Sequence, residues 1–518
     1  MNNVLNSKLA LENDLHKYFG YKTFRTGQLE IISDVMRGED VFGILPTGMG
    51  KSICYQLPAQ LLEGSTIVIS PLISLMIDQV KQLKASNFKE VVALNSFIEP
   101  RERKKVYQHL DKYKLIYVSP ELIQQDELLN YLKQLKVSLL VIDEAHCISQ
   151  WGHDFRPDYL KISETVSELN SPPILALSAT ATKEIQQDIK AILRRPSMIS
   201  HVYPMDRENI VFSIEKAEND KDKNEKINRL FNHLRVPTII YFSSRAATEQ
   251  LSAFLQNNHP TLRVAYYHGG METIDRISVQ QQFMNGQLDV ICCTSAFGMG
   301  INKQDIRLII HYHFPLQLES FIQEVGRAGR DGNESVSLLL YSEQDHYLPY
   351  KLIKRELPQT DELKIVFRKL YDRYNKNEPI PQNIEQIEKT FQITEIQWRF
   401  LHYHFENHGM IKGKQILYEL DRWKYAFEAI DKFVNVRLTI KEKKLREMIA
   451  WVETDTCLRE ELYRGFQPNY TTPLQSCCSN CGFNLSNWQT DQQVEEKSNQ
   501  NWEEKLRYLL LLKENKSS

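Results

Sequence analysis

The run Thr47-Gly48-Met49-Gly50-Lys51-Ser52 holds residue types that grip a polyphosphate. Its glycines let successive backbone N–H groups turn inward around an anion, and a helix N-terminus behind them adds its dipole. Lys51 then reaches the β- and γ-phosphates, and the Ser52 hydroxyl ligates Mg²⁺. The full pattern asks for glycine where Leu45 stands, so only its second half is met, and alone it reads equally as a glycine turn. A second constellation decides between the two. Asp143-Glu144-Ala145-His146 directly follows the apolar run Leu139-Leu140-Val141-Ile142. A buried strand ending in two carboxylates suits a metal-binding Asp143 beside a water-activating Glu144. Together the two constellations point to hydrolysis of a nucleoside triphosphate.

Such residues need strands that deliver them to one edge. Strand-like runs at Val41–Leu45, Thr66–Ser70, Val91–Leu94, Leu115–Ser119, Leu139–Asp143 and Ile174–Ser178 alternate with helix-length segments. This alternation predicts a parallel α/β sheet, with the polar motifs just after its strands. Beyond Met205-Asp206-Arg207 comes a charged stretch, Glu215 to Lys226. A second series then runs through Thr238–Phe242, Arg263–Tyr267, Val290–Cys293, Leu308–His311 and Ser335–Tyr341. From about residue 345 the pattern turns helical and strands disappear. Ile384 to Lys412, broken by Gly409 and Gly413, reads either as a helix-turn-helix variant or as a plain helical spacer. The polar stretch Asn487–Gln500 leads to a short helix at Trp502–Leu512.

A chain of 518 residues is too long for one core, so three or more domains are expected. The expected limits are 1–205 and 206–345 for two α/β domains, 346–440 for a helical region, 441–485 for a cysteine module, and 486–518 for a linker and terminal helix. The net charge of −2 excludes a global basic field, so any nucleic-acid contact must use local basic and aromatic clusters. No apolar run approaches the ~18 residues that span a bilayer, and Met1 to Leu15 has no apolar signal region. A cytosolic, cytoplasmic protein is expected, in which disulfides are not. Cys54, Cys147, Cys292 and Cys293 read as small buried hydrophobes, whereas Cys457, Cys477, Cys478 and Cys481 cluster near the C-terminus.

Further motifs carry a family resemblance. Phe19-Gly20-Tyr21-Lys22-Thr23-Phe24-Arg25-Thr26-Gly27-Gln28 precedes the phosphate loop. Ser70-Pro71-Leu72 and Tyr117-Val118-Ser119-Pro120 follow strands, and so does Leu177-Ser178-Ala179-Thr180. Trp151, His153, Phe155 and Arg156 crowd a Gly/Pro-bearing loop after the carboxylates. The second half contributes Tyr241-Phe242-Ser243-Ser244, Tyr267-His268-Gly269, Cys293-Thr294-Ser295 and Gln323-Glu324-Val325-Gly326-Arg327-Ala328-Gly329-Arg330. In these motifs the chain resembles the RecQ helicases of superfamily 2, most closely the short bacterial RecS-type. The resemblance is dense over residues 10–345, looser over the cysteines, and hardly covers 350–445 or 486–518.

The resemblance implies two tandem RecA-like domains, a helical region and a small zinc module. It implies an ATP-dependent DNA helicase that moves 3′ to 5′ on single-stranded DNA and opens tailed duplexes in DNA repair and recombination. Tyr21 and Arg25 are expected to sandwich adenine while Gln28 bonds its edge, a carboxamide matching adenine N6 and N7. Thr47, Gly48, Met49, Gly50, Lys51 and Ser52 hold the phosphates, and Ser52 and Asp143 hold Mg²⁺. Arg327 and Arg330, three apart and so on one face if helical, act on the γ-phosphate as arginine fingers do. Ser70, Ser119, Ser243, His268 and Thr294 are expected on the DNA backbone. Trp151 and Phe155 stack on bases, Arg156 takes a phosphate and His153 relays position to Glu144. RecQ proteins end this region with two successive C-x₂-C steps. Counting on from Cys481 gives Asn484, so Zn²⁺ is expected on Cys457, Cys478 and Cys481 with Cys477 as fourth ligand, or else the site is metal-free. Only 37 residues follow Cys481, too few for the usual winged helix. A monomer is expected, with DNA-repair proteins as partners and no membrane contact. An RNA helicase and a non-catalytic scaffold are the competing readings. The Trp151–Arg156 loop and Gln323-Glu324 weigh against the first, and intact Lys51, Glu144, Arg327 and Arg330 against the second.

Overall fold

The computed structural model describes residues 2–95, 98–149, 159, 162–298, 301, 303–381, 383–467, 470, 473 and 476–489. Trp151, His153, Phe155 and Arg156, and the helix expected at 502–512, lie outside the described residues.

The first series of strands forms one parallel sheet. It contains β1 (Val41–Ile44), β2 (Ser65–Ile69), β3 (Val91–Leu94), β4 (Leu115–Val118), β5 (Val137–Ile142), β6 (Ile174–Ser178) and β7 (Ile199–Val202), ordered β3-β4-β2-β5-β6-β1-β7. The edge strand β7 was not expected, because Ser200 and His201 interrupt its apolar run. Side chains alternate between two cores. Phe42, Ile44, Ile67, Ile69, Leu140 and Ile142 fill one face, and Val41, Val68, Leu139, Val141, Leu175 and Leu177 fill the other. Burial on both faces is why these strands read as continuous apolar runs. Each such side chain contributes roughly 1.5–3 kcal/mol. Because β5, β6 and β1 are neighbours, the loops after them lie side by side at the C-terminal edge, where parallel sheets hold ligands.

The second sheet is also parallel. It holds β8 (Ile210–Lys216), β9 (Thr238–Phe242), β10 (Val264–Tyr267), β11 (Val290–Thr294), β12 (Leu308–His311) and β13 (Ser335–Tyr341), ordered β10-β11-β9-β12-β13-β8. The charged stretch from Glu215 is therefore no bare connection. It is the end of β8 followed by the helix Asp220–Phe231, which buries Lys223, Ile227 and Phe231 and turns its other charges outward.

After residue 345 come the helices Tyr347–Glu356, Thr360–Asn375, Ile384–Phe391 and Glu395–Asn407. Strands do not disappear here, as the sequence suggested. A two-residue pair, β14 (Ile411–Lys412) and β15 (Gln415–Ile416), folds antiparallel about Gly413, whose φ of +61° suits a tight hairpin. Such short strands leave no periodicity to read. A 33-residue helix, Leu420–Val452, then runs across residue 440 and serves two cores. Trp423, Ala426, Ile430 and Val434 close a separate core with Leu363, Phe391, Leu401 and Phe405, while Leu445, Met448 and Trp451 join the core shared by the two sheets. The helix Leu458–Tyr463 and the cysteine turn follow. Phe212 of the edge strand β8 pairs with Cys478, and its N–H donates to the Cys477 carbonyl at 3.2 Å, so the module covers that edge. Among the described residues no helix is long and apolar enough to cross a membrane.

Candidate nucleotide and nucleic-acid site

The phosphate-loop sequence turns from β1 into the helix Ile53–Leu61. Gly48 (φ +87°) and Gly50 (φ +73°) occupy left-handed conformations that a side chain would strain. Lys51 Nζ lies 3.3 Å from Glu144 Oε1, which joins the β1 and β5 loops across the cleft. Asp143 is buried and accepts the Glu144 N–H at 3.0 Å. Burial, and then the Glu144 charge, push the Asp143 pKa up, so a cation beside it is favoured. Glu144 itself sits at φ +49°, a backbone strain of roughly 1–3 kcal/mol for a non-glycine residue, held at the start of the short turn Ala145–Ile148.

His146 has a place that the sequence left without a role. Its Nδ1 lies 3.0 Å from Ser178 Oγ and 3.4 Å from Glu144 Oε2, bridging the ends of β5 and β6. His153, expected as the relay to Glu144, is outside the described residues. The signal for His146 was its position two residues beyond Glu144, yet only the sheet order puts Ser178 beside it.

The second sheet contributes the arginines. The helix Leu318–Val325 ends at Gly326, so Arg327 and Arg330 stand in the following turn and not on a helical face. They still converge, because each guanidinium is tethered to the loop after β11: Arg327 donates to the Gly298 carbonyl and Arg330 to that of Ile301. Burial first, and then the Arg327 and Arg207 charges, push the Arg330 pKa down. The Arg327 Nε is buried without a hydrogen-bond partner among the described residues. Such a cluster of desolvated cations fits an anionic ligand. It shares a cleft of about 460 Å³ with Lys51, Ser52, Asp143 and Glu144.

The base-binding expectations are only partly matched by position. Tyr21 is 55% exposed and lines the same cleft, and the Arg25 guanidinium donates to the Gly48 carbonyl. Gln28 Nε2 donates to the carbonyls of Met49 (2.8 Å) and Gly50 (3.0 Å), while its Oε1 accepts the Arg25 N–H at 2.9 Å. Both N–H groups of this buried carboxamide are thus spent on backbone carbonyls, so donating to a base requires it to swing, whereas Oε1 keeps a second lone pair. Ser70, Ser119, Ser243, His268 and Thr294 all follow or end strands. Ser70 and Ser119 are buried, and Ser70 Oγ has no hydrogen-bond partner among the described residues. His268 is also buried, with Nε2 2.8 Å from Glu249 Oε1.

Four sulfurs, those of Cys457, Cys477, Cys478 and Cys481, lie within 4.8 Å of one another, with Cys457 and Cys477 3.5 Å apart. Tetrahedral Zn–S bonds of ~2.3 Å put sulfurs ~3.8 Å apart, so the donor set fits one Zn²⁺. Asn484 is no part of it. Its side chain accepts the Ser486 N–H at 3.0 Å and caps a turn.

Two RecA-like parallel sheets, with a phosphate loop and carboxylates on one and paired arginines on the other, define the core of a superfamily 2 helicase. Residues 25–188 match the DEAD/DEAH box helicase family and residues 222–332 the helicase conserved C-terminal domain. The chain belongs to the RecQ family of these enzymes. It is 40% identical over 478 residues to a probable ATP-dependent DNA helicase RecS of Bacillus subtilis, covering 92% of each. It is also 40% identical over 358 residues to the ATP-dependent DNA helicase RecQ of Haemophilus influenzae, covering 69% of this chain and 57% of that one. Among solved structures it resembles the Mycobacterium smegmatis helicase Lhr bound to ssDNA and AMP-PNP, with a TM-score of 0.55 at 18% identity over 80% of this chain and 61% of that one. The DEAD-box helicase Mss116 bound to ssRNA and UDP-BeF gives a TM-score of 0.56 at 16% identity, covering 84% and 89%. At such identity the likeness is one of fold.

Proposed function

We propose that the chain is an ATP-dependent DNA helicase that moves 3′ to 5′ along single-stranded DNA and opens tailed duplexes in repair and recombination, as a cytoplasmic monomer. One observation carries the reading: Lys51, Asp143 and Glu144 of the first sheet share a single cleft with Arg327 and Arg330 of the second. Lys51 and the loop amides bind the β- and γ-phosphates, with Tyr21 and Arg25 flanking the base. Ser52 and Asp143 are the Mg²⁺ donors, and the bound ion supplies charge neutralisation at the phosphate oxygens. Glu144 orients the attacking water and takes its proton, while His146 holds that carboxylate toward the end of β6. Arg327 and Arg330 stabilise the charge that develops on the transferred phosphoryl group. Because these groups come from two domains, ATP in the cleft closes them and hydrolysis lets them reopen, and strand contacts on both convert that cycle into steps. Cys457, Cys477, Cys478 and Cys481 hold a structural Zn²⁺.

Residues 346–440 read better as a winged-helix variant than as a spacer. The helices Thr360–Asn375, Ile384–Phe391 and Glu395–Asn407 followed by the β14–β15 hairpin, closed over a core of their own, support this. The RNA-helicase reading finds support only in fold likeness. ATP hydrolysis titrated with single-stranded DNA, single-stranded RNA and duplex, followed by unwinding of 3′- and 5′-tailed duplexes, tests the proposal. Stimulation by RNA alone, or unwinding only from a 5′ tail, contradicts it.

A further inference from the structure

The arginine turn is not held by the second sheet alone. Between the two sheets the chain passes through Met205-Asp206-Arg207, and the Arg207 guanidinium reaches back over the turn that carries Arg327 and Arg330. It donates to the carbonyls of Gly326 (3.2 Å), Ala328 (2.8 Å) and Gly329. One side chain thus ties three carbonyls of the turn that begins at Gly326. Arg207 is in turn held from the cysteine module. Arg459, in the helix that begins just after Cys457, is fully buried. It donates to the Asp206 carboxylate, to the Arg207 carbonyl at 3.1 Å and to the Ile210 carbonyl, and its guanidinium lies 5.1 Å from the centre of the Phe212 ring. Gln467 Oε1 accepts the Met205 N–H at 2.8 Å and the Asp206 N–H at 3.3 Å.

We infer that Arg207 and Arg459 are positioning residues for hydrolysis: the cysteine module fixes the interdomain segment through Arg459, and that segment fixes the arginine turn through Arg207. The inference rests on the reading of Arg327 and Arg330 as transition-state groups. A buried Arg–Asp pair contributes little net stability against an apolar substitute, so its use here calls for a geometric reason. The reason is the closeness of the turn to the phosphate loop. A Cβ on Gly48 would stand 3.0 Å from the Arg330 side chain, so a small drift of the turn displaces its guanidiniums from the phosphates. A drift of ~1 Å costs on the order of a hundredfold in rate.

The test uses the full chain and four proteins: wild type, Arg207→Met, Arg327→Ala and the double variant. Arg207→Met leaves the Arg459–Asp206 pair intact. It is expected to lower DNA-stimulated kcat about tenfold or more with KM for ATP changed less than about threefold, the pattern of a contact that matters in the transition state. Zinc content and the unfolding midpoint serve as folding controls. In the Arg327→Ala background the same change is expected to cost clearly less than in wild type, because only Arg330 is then left to position. Penalties that multiply in the double variant, or a normal kcat in folded Arg207→Met, overturn the inference. A normal kcat in Arg327→Ala overturns the underlying reading instead. Should Arg207→Met not fold, Arg459→Lys replaces it. That variant keeps a cation for Asp206 but lacks the fork that reaches two carbonyls, and it is expected to show the same kcat loss and the same reduced penalty in the Arg327→Ala background.

Discussion

Replacing Gly326 by alanine should halt hydrolysis without harming the fold. Gly326 ends the helix Leu318–Val325 at φ −60°, ψ −2°, a conformation alanine adopts freely. Its added Cβ would meet Thr47 Oγ1 of the phosphate loop at 2.0 Å and Thr47 Cβ at 3.3 Å. Ordinary contact begins near 3.4 Å, so the two domains must part by more than an ångström or Thr47 must turn away. Parting moves Arg327 and Arg330 off the phosphates, and ~1 Å of misplacement costs about a hundredfold. The fold of the second domain should be kept, since alanine adopts this backbone conformation and the clash falls on the contact between domains. The assay is steady-state ATP hydrolysis with saturating single-stranded DNA, alongside nucleotide binding and thermal unfolding. Adding Thr47→Ala removes the nearest clashing atom and should recover part of the lost rate. If Gly326→Ala alone keeps kcat within about threefold of wild type, the closed contact does not belong to the catalytic state and this reasoning is wrong.

Lys51→Ala and Glu144→Gln should both abolish hydrolysis, yet only the first should lose nucleotide affinity, because glutamine keeps the shape and removes only the proton acceptor. Equal loss of binding of a fluorescent ATP analogue by both variants contradicts the assignment. Cys478→Ser should release about one zinc per chain and lower the unfolding midpoint, with Cys477→Ser milder; a zinc-free reduced wild type refutes the metal site. Trp151→Ala should keep basal ATPase and lose most DNA stimulation, and normal stimulation in a folded variant removes the stacking role. Burial, and then His408, push the His404 pKa from 6.5 down to about 4. The folded state therefore binds fewer protons than the unfolded one. The stability this neutral ring allows is whole above about pH 6.5 and is lost as pH falls toward 4. Thermal unfolding across that range should show a shallower acid loss for His404→Phe, and an unchanged slope sets the residue aside.

The two-sheet plan and the candidate phosphate site were legible in the sequence, because both are written in local patterns. The apolar runs Val41–Leu45 and Leu139–Asp143 announce strands buried on both faces, and the glycines around Lys51 and the carboxylates after Ile142 sit where such strands end. What it missed was short or mixed in character. β7 carries Ser200 and His201, the β14–β15 pair has two residues a side, and β8 runs into Glu215 and Lys216. Tertiary structure alone decided what long-range approach decides. It placed His146 against Ser178, moved Arg327 and Arg330 off a helix and into a turn, and engaged Gln28 with the phosphate-loop backbone. It gathered Cys477 with the other three thiols although Cys478 is its neighbour in the chain. It also buried Arg459 against Asp206, two residues 253 positions apart. No periodicity or spacing encodes such a pairing. It exists because a desolvated charge must find its partner wherever the packed sheets bring one within reach.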